Sequence, residues 1–134
     1  IDTQTLNLDL DLVEKQVQLE PEVSAIIPVH FAGLPCDMNK LSKTAKASGI
    51  RVIEDAAHAF GASYEDGQKV GSCSFSDMTV FSFHPVKSIT TGEGGIITTN
   101  SEEIYANLLN KNGLLVIKVD KPVNVVSSDN TLIY

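Results

Sequence analysis

An apolar run, Ala-Ile-Ile-Pro-Val at Ala25–Val29, is followed by a helix signature and then by a second apolar strand, and that order admits few folds. Asp37 can cap a helix and Gly49 can stop one, so the spacing predicts a helix to about Ser48 with Leu41, Ala45 and Ala47 on its apolar stripe. Arg51 to Ile53 reads as the next strand. An uninterrupted apolar run suits a strand buried on both faces, and strand, helix, strand at this spacing is a crossover between parallel strands. Pro28 lacks an amide hydrogen, which either argues against a strand here or puts Pro28 near the strand's end. The fold class expected is therefore α/β with a mostly parallel sheet. Ligands of such sheets gather at the carboxyl ends of the strands. The second strand here ends on Glu54-Asp55, followed by the small residues Ala56-Ala57.

Around this unit the signals are shorter. Leu6, Leu8, Leu10 and Leu12 alternate with polar residues, the period of a strand, while Leu12, Val13 and Val17 after Asp9 and Asp11 fit a short helix. A strand followed by a short helix is expected there. Gly33-Leu34-Pro35 reads as a loop, Gly61 to Tyr64 as a short strand and Glu65-Asp66-Gly67 as a turn. Further strands are expected at Thr79 to Phe83 and Gly95 to Thr99, then a helix from Ser101 towards Asn110, capped by Ser101 or Asn100. Val116 to Tyr134 is strand-prone with Asn and Ser clusters, and would either pair as a hairpin or hang loose. The expected division is a domain over 1–115 and an unplaced tail over 116–134.

Composition narrows the function. A chain of 134 residues suits one modest domain, and 43% hydrophobic with 20% charged residues is ordinary for a globular protein. The net charge of −7 argues against nonspecific nucleic-acid binding, which needs Lys and Arg to neutralise phosphates, but leaves room for a local pocket for one phosphate. Cys36 and Cys73 form no CxxC pair, so structural zinc is not expected and reduced, cytoplasmic thiols are. No apolar run has the length of a membrane span. The start, Ile1-Asp2-Thr3-Gln4, has neither an initiator Met nor a signal peptide, so the chain reads as a fragment or a trimmed product.

The residues that could carry chemistry are few. Lys87 follows an apolar strand in Phe83-His84-Pro85-Val86-Lys87. Apolar surroundings lower a lysine pKa, which favours a nucleophilic amine able to form a Schiff base; a solvated loop lysine is the alternative. A carboxylate at a strand end, as at Asp55, can pair with a ring nitrogen and keep it protonated, or merely form a turn. Ser82 points opposite to Phe81 and Phe83 and could donate to a phosphate or be structural. Gly92-Glu93-Gly94-Gly95 permits a tight turn but matches neither a P-loop nor a dinucleotide fingerprint. His30, His58 and His84 show no helical spacing that would make a metal site with the cysteines.

Taken in order, several motifs are shared with one family. Pro28-Val29-His30-Phe31-Ala32-Gly33, Cys36-Asp37-Met38 and Val52-Ile53-Glu54-Asp55-Ala56-Ala57-His58-Ala59 come first, then Lys69-Val70-Gly71-Ser72. Phe81-Ser82-Phe83-His84-Pro85-Val86-Lys87 and Thr90-Thr91-Gly92-Glu93-Gly94-Gly95 complete the set. From about Leu6 to Gly113 the chain resembles the DegT-type sugar aminotransferases, fold-type-I pyridoxal-phosphate enzymes. The stretch Ser76 to Lys87 is most similar to the aminotransferases of pseudaminic acid synthesis. The resemblance implies a three-layer sandwich, part of an aspartate-aminotransferase-like large domain. It implies that Lys87 carries the Schiff base and shuttles a proton, and that Asp55 pairs with the pyridine nitrogen. His58 would lie near the phenolic oxygen, where many relatives have glutamine, and Ser82 would bind the phosphate. Pyridoxal 5'-phosphate would be the cofactor, glutamate the amino donor and a nucleotide-linked 4-keto-6-deoxy amino sugar the acceptor, in a cytoplasmic homodimer.

The same resemblance marks departures. Relatives are longer, with an upstream glycine-threonine loop for the phosphate, a stacking aromatic and a small domain that this chain lacks. Their Arg-Asn-His-Gly run is altered here to Asn110-Lys111-Asn112-Gly113. Lys87 argues against the relatives that carry histidine there and catalyse dehydration. A non-catalytic fragment of such an enzyme is the second reading, and a small receiver- or flavodoxin-like binding module the third.

Overall fold

The computed structural model describes residues 1–109 and 115–119, together with the strand segments 125–126 and 132–133. The first element is a helix, α1 (Leu10–Leu19), and the strand expected around Leu6 to Leu12 does not form. Asp9 decides this: its carboxylate accepts from the amides of Asp11 and Leu12 at 3.0 and 3.1 Å and caps the helix. Leu10, Val13 and Val17 then fall on one stripe that packs on the core, while Leu12 stays exposed.

The predicted strand–helix–strand unit is present. β1 (Ala25–Ile26) is shorter than the apolar run, because Pro28 interrupts it; pairing resumes as a single bridge between Val29 and Asp55. A 3-10 turn, Phe31–Gly33, occupies the loop that follows. α2 (Met38–Ser48) begins at Asp37, whose side chain accepts from the Lys40 amide, and ends on Gly49 at φ 67°, in the left-handed region. Met38, Leu41, Ser42 and Ala45 form its buried stripe; Ala47 is exposed instead, one position off that face.

β2 (Arg51–Asp55), β3 (Met78–Ser82), β4 (Gly95–Thr99) and β5 (Leu115–Lys118) complete a five-stranded sheet in the order β1-β2-β3-β4-β5. The β1–β2, β2–β3 and β4–β5 pairs are parallel, and β3–β4 is antiparallel. β2 runs two residues further than expected and β3 is displaced by one. In place of the short strand expected at Gly61 to Tyr64 there is one bridge, Ser63 to Lys69, around the turn. α3 (Glu102–Leu109) packs on β4 and β5, with the Ile104 amide donating to Ser101 Oγ. β5 joins the sheet, and β6 (Val125–Val126) pairs antiparallel with β7 (Leu132–Ile133). The altered run at Asn110 to Gly113 lies outside the described residues. Among the described residues no helix is long and apolar enough to cross a membrane.

The core between α1, α2 and the sheet contains an acid. Val52 and Glu54 point to one face of β2, and both are buried. Glu54 Oε2 accepts from His30 Nε2 at 2.8 Å and from the Tyr64 hydroxyl at 2.5 Å; Oε1 accepts from Thr79 Oγ1 at 2.9 Å and from Ser76 Oγ. Burial alone would raise the Glu54 pKa, but the bonds from His30, Ser76 and Tyr64 hold it below the usual carboxylate value. Burial likewise disfavours charge on His30, while hydrogen bonding to the Cys36 side chain and to Glu54 pushes the ring up to about 9. The Cys36 amide also points at Nδ1 from 3.2 Å, a bond only the neutral ring accepts. In either ring state Nε2–H faces the carboxylate.

Two outcomes are expected. The Glu54 contribution to stability is complete above pH 4.5 and fades as pH falls through its depressed native pKa; the His30 contribution is complete below pH 6.5 and fades as pH rises through about 9. Thermal melts should therefore be flattest between those values, and Glu54→Ala should cost about 3–5 kcal/mol at pH 6 by leaving the buried partners unpaired. A loss under 1 kcal/mol in urea titration would contradict the described network. Gly95 lies opposite Ser82, where an added Cβ would sit 2.5 Å from the Phe81 carbonyl oxygen. Gly95→Ala should destabilise by about 1–3 kcal/mol in the same titration, since strands β3 and β4 must part to admit it.

Candidate functional site

Side chains alternate across a strand, so Asp55 faces away from Glu54. Register carries that face into the next strand: Ile53 lies beside Met78 and Asp55 beside Val80, and Ser82 follows two residues on. Asp55 and Ser82 thus share one face at the carboxyl ends of neighbouring strands. Strand spacing puts their Cα atoms roughly 8 Å apart. Both are half-buried.

The end of β2 is held on both sides. The Asp55 amide donates to the Pro28 carbonyl at 2.9 Å, and the Asp55 carbonyl accepts from the His30 amide at 3.0 Å. On the other edge the Ala56 amide donates to the Val80 carbonyl at 2.8 Å. The Asp55 carboxylate accepts from the Ala57 amide through Oδ1 at 3.0 Å, the turn-forming role that aspartate performs readily. Oδ2 has no partner among the described residues. A turn closed by the Ala59 amide on the Ala56 carbonyl then presents His58 to solvent, edge-on to Phe31 with ring centroids 6.2 Å apart.

Lys87 lies in the hairpin connection between β3 and β4. That loop is closed at its neck, where the Phe83 amide donates to the Gly94 carbonyl and the Phe83 carbonyl accepts from the Thr91 amide and Thr90 Oγ1. Within it the Lys87 amide donates to the His84 carbonyl at 2.9 Å, a turn that puts Pro85 and Val86 at its tip. Ser82 Oγ accepts a long bond, 3.4 Å, from the His84 amide. The apolar surroundings expected for Lys87 are not closed around it. Lys87 is half-buried, Val86 is 79% exposed and Ile89 49% exposed, because the loop projects past the sheet's end with no layer over it among the described residues.

The structure thus gathers Asp55, His58, Ser82 and the Lys87 loop at one end of the sheet. A cavity of about 240 Å³ lies elsewhere, between the start of α1 and the start of α2, lined by Asp9, Asp11, Asp37 and Lys40, and none of the four candidate residues borders it. No group of three or more His, Cys, Asp or Glu is placed to hold a metal ion among the described residues. The buried Glu54 cluster went unread in the sequence. Its signal was available: an acid between Val52 and Ala56, at a core-facing position, requires buried donors.

The residues match a family model from end to end of this region. The model describes the DegT/DnrJ/EryC1/StrS aminotransferase family and covers residues 1–122. The chain is 48% identical over 104 residues to the uncharacterized protein MJ1066 of Methanocaldococcus jannaschii, covering 78% of this chain and 26% of that protein. It is 42% identical over 104 residues to the spore coat polysaccharide biosynthesis protein SpsC of Bacillus subtilis, covering 78% and 25% respectively. The chain therefore spans about a quarter of the length of these relatives. Among solved structures, Helicobacter pylori PseC, an aminotransferase involved in the biosynthesis of pseudoaminic acid, superposes with a TM-score of 0.69 at 34% identity, over 80% of this chain and 28% of that one. An E. coli GDP-4-keto-6-deoxy-D-mannose-3-dehydratase with bound hydrated PLP superposes with a TM-score of 0.71 at 33% identity, over 81% and 27%. On the strength of a match over most of its length, the chain belongs to the DegT/DnrJ/EryC1/StrS aminotransferase family.

Proposed function

We propose that this chain forms the cofactor-holding part of a pyridoxal-phosphate enzyme that transfers an amino group to a nucleotide-linked keto sugar. The observation that carries the reading is the shared placement of Asp55 and Ser82 on one face at neighbouring strand ends, with the Lys87 loop leaving the same end. These residues fit the cofactor chemically: an amine, a carboxylate with one free oxygen and a hydroxyl are what an aldehyde, a pyridine nitrogen and a phosphate require. When bound, the cofactor supplies an aldehyde for covalent attachment and a ring that withdraws electrons from the substrate carbon.

The chain's own residues would do the rest. Lys87 Nζ would hold the cofactor covalently and, once released, move a proton between cofactor and substrate carbons. Asp55 would keep the pyridine nitrogen protonated through a charge-assisted bond. Ser82 Oγ would donate to the phosphate, and His58 would lie near the phenolic oxygen. The presence of Lys87 favours transamination over the dehydration named for the E. coli relative. The acceptor we propose is a UDP-linked 4-keto-6-deoxy N-acetylamino sugar and the donor glutamate, in a cytoplasmic homodimer; similarity to PseC, an aminotransferase involved in the biosynthesis of pseudoaminic acid, supports an amino sugar as the class of product.

A second reading has its own support. The chain covers about a quarter of its relatives, and the Lys87 loop is uncovered, as in a folded but non-catalytic portion of such an enzyme. Incubation with pyridoxal phosphate, borohydride reduction and peptide mass mapping separates the two. The first reading expects one phosphopyridoxyl group on Lys87, lost in Lys87→Arg. A folded chain with no label, or equal labelling of several lysines, would favour the second.

A further inference from the structure

We infer that Glu54 and His30 are positioning residues, which hold the Asp55 carboxylate in place for the cofactor ring from the opposite side of the sheet. The inference rests on the proposed role of Asp55 and adds to it the means by which that carboxylate is aimed.

The geometry is that of a two-point clamp. Glu54 precedes Asp55 and points the other way, into the core, where His30, Tyr64, Ser76 and Thr79 all donate to it. Its side chain is fully buried, as is that of His30. His30 also grips Asp55 directly, since its amide donates to the Asp55 carbonyl at 3.0 Å. One residue therefore binds position 54 through its ring and position 55 through its backbone. The donors come from four separate places in the chain: the segment after β1, the turn that the Ser63–Lys69 bridge closes, the entry to β3 and β3 itself. Rotation of the peptide between Glu54 and Asp55 would break bonds on both sides at once. An apolar residue at position 54 would pack in the core but would carry no such torsional lock. A core that needed only filling has no use for a carboxylate that requires so many donors.

The direct reporter is the Ala57 amide, which donates to Asp55 Oδ1. In hydrogen exchange on the cofactor-free chain, Glu54→Gln should lower protection at Ala57 at least tenfold beyond any change at Tyr105, an α3 residue whose amide donates to the Ser101 carbonyl just before that helix. Tyr64→Phe, which removes one donor and leaves His30 in place, should give a smaller loss at the same amide. If Ala57 changes no more than Tyr105 in both variants, Glu54 does not hold Asp55 and the inference is wrong.

Pyridoxal phosphate itself supplies the second arm. Glu54→Gln should weaken its binding about tenfold, and should add less than twofold in an Asp55→Ala background. Additive losses would mean that Glu54 acts by some route other than Asp55, which overturns the inference. Should the unaltered chain give no adduct on Lys87, the proposed function fails instead, and the exchange experiment still decides whether the clamp holds.

Discussion

A single buried carboxylate organises much of this molecule. An ionised Glu in the interior is costly unless donors surround it, and Glu54 is surrounded. Satisfying it requires His30 from beyond β1, Tyr64 and Ser76 from the long β2–β3 crossover, and Thr79 from β3. The crossover contains no helix, so few backbone ladders fix its path. Tyr64 and Ser76 instead tether it at two points, one within it and one at its end. Burial and the adjacent carboxylate push the Tyr64 hydroxyl far above its ordinary pKa, so it remains a donor throughout the physiological range.

The opposite face of the same strands is less covered. Ile53, Asp55, Val80 and Ser82 are all half-buried. Polar groups can be presented there without a desolvation penalty as large as that on Glu54. Alternation thus separates two jobs along one short strand: one carboxylate secures the core and the next is available to a ligand. The antiparallel return through β4 adds the Lys87 loop to that end, and the bonds of Phe83 and Gly94 at its neck keep the loop's contents from disturbing the ladder.

Much of this was legible from residue order alone. Asp37 and Gly49 announce α2 because capping chemistry is local, and Gly95–Thr99 is found where its β-branched run Ile-Ile-Thr-Thr led one to expect a strand. The start of the chain misleads because Leu6, Leu8, Leu10 and Leu12 satisfy a period of two, while Asp9 offers the backbone a cap that starts a helix. The partners of Glu54 lie 10 to 25 residues away along the chain, and only the fold brings them together. For Lys87, apolar neighbours in sequence did not become apolar neighbours in space, because Val86 and Ile89 point outward from a projecting loop. The family's motifs pointed to the four candidate positions; the register put Asp55 and Ser82 on one face of one sheet end, and the turn and loop that follow them carry His58 and Lys87.

The adjacency of Glu54 and Asp55 also constrains how the sheet can assemble. A shift of β2 by one residue turns every side chain to the other face. Asp55 would then enter the core, one methylene too short to meet donors arranged for a glutamate, and Glu54 would be left outside. Two acids in succession look like an error-prone design for a buried strand. Here their unequal lengths act as a ruler, and a misaligned pairing meets its penalty as soon as the core begins to close.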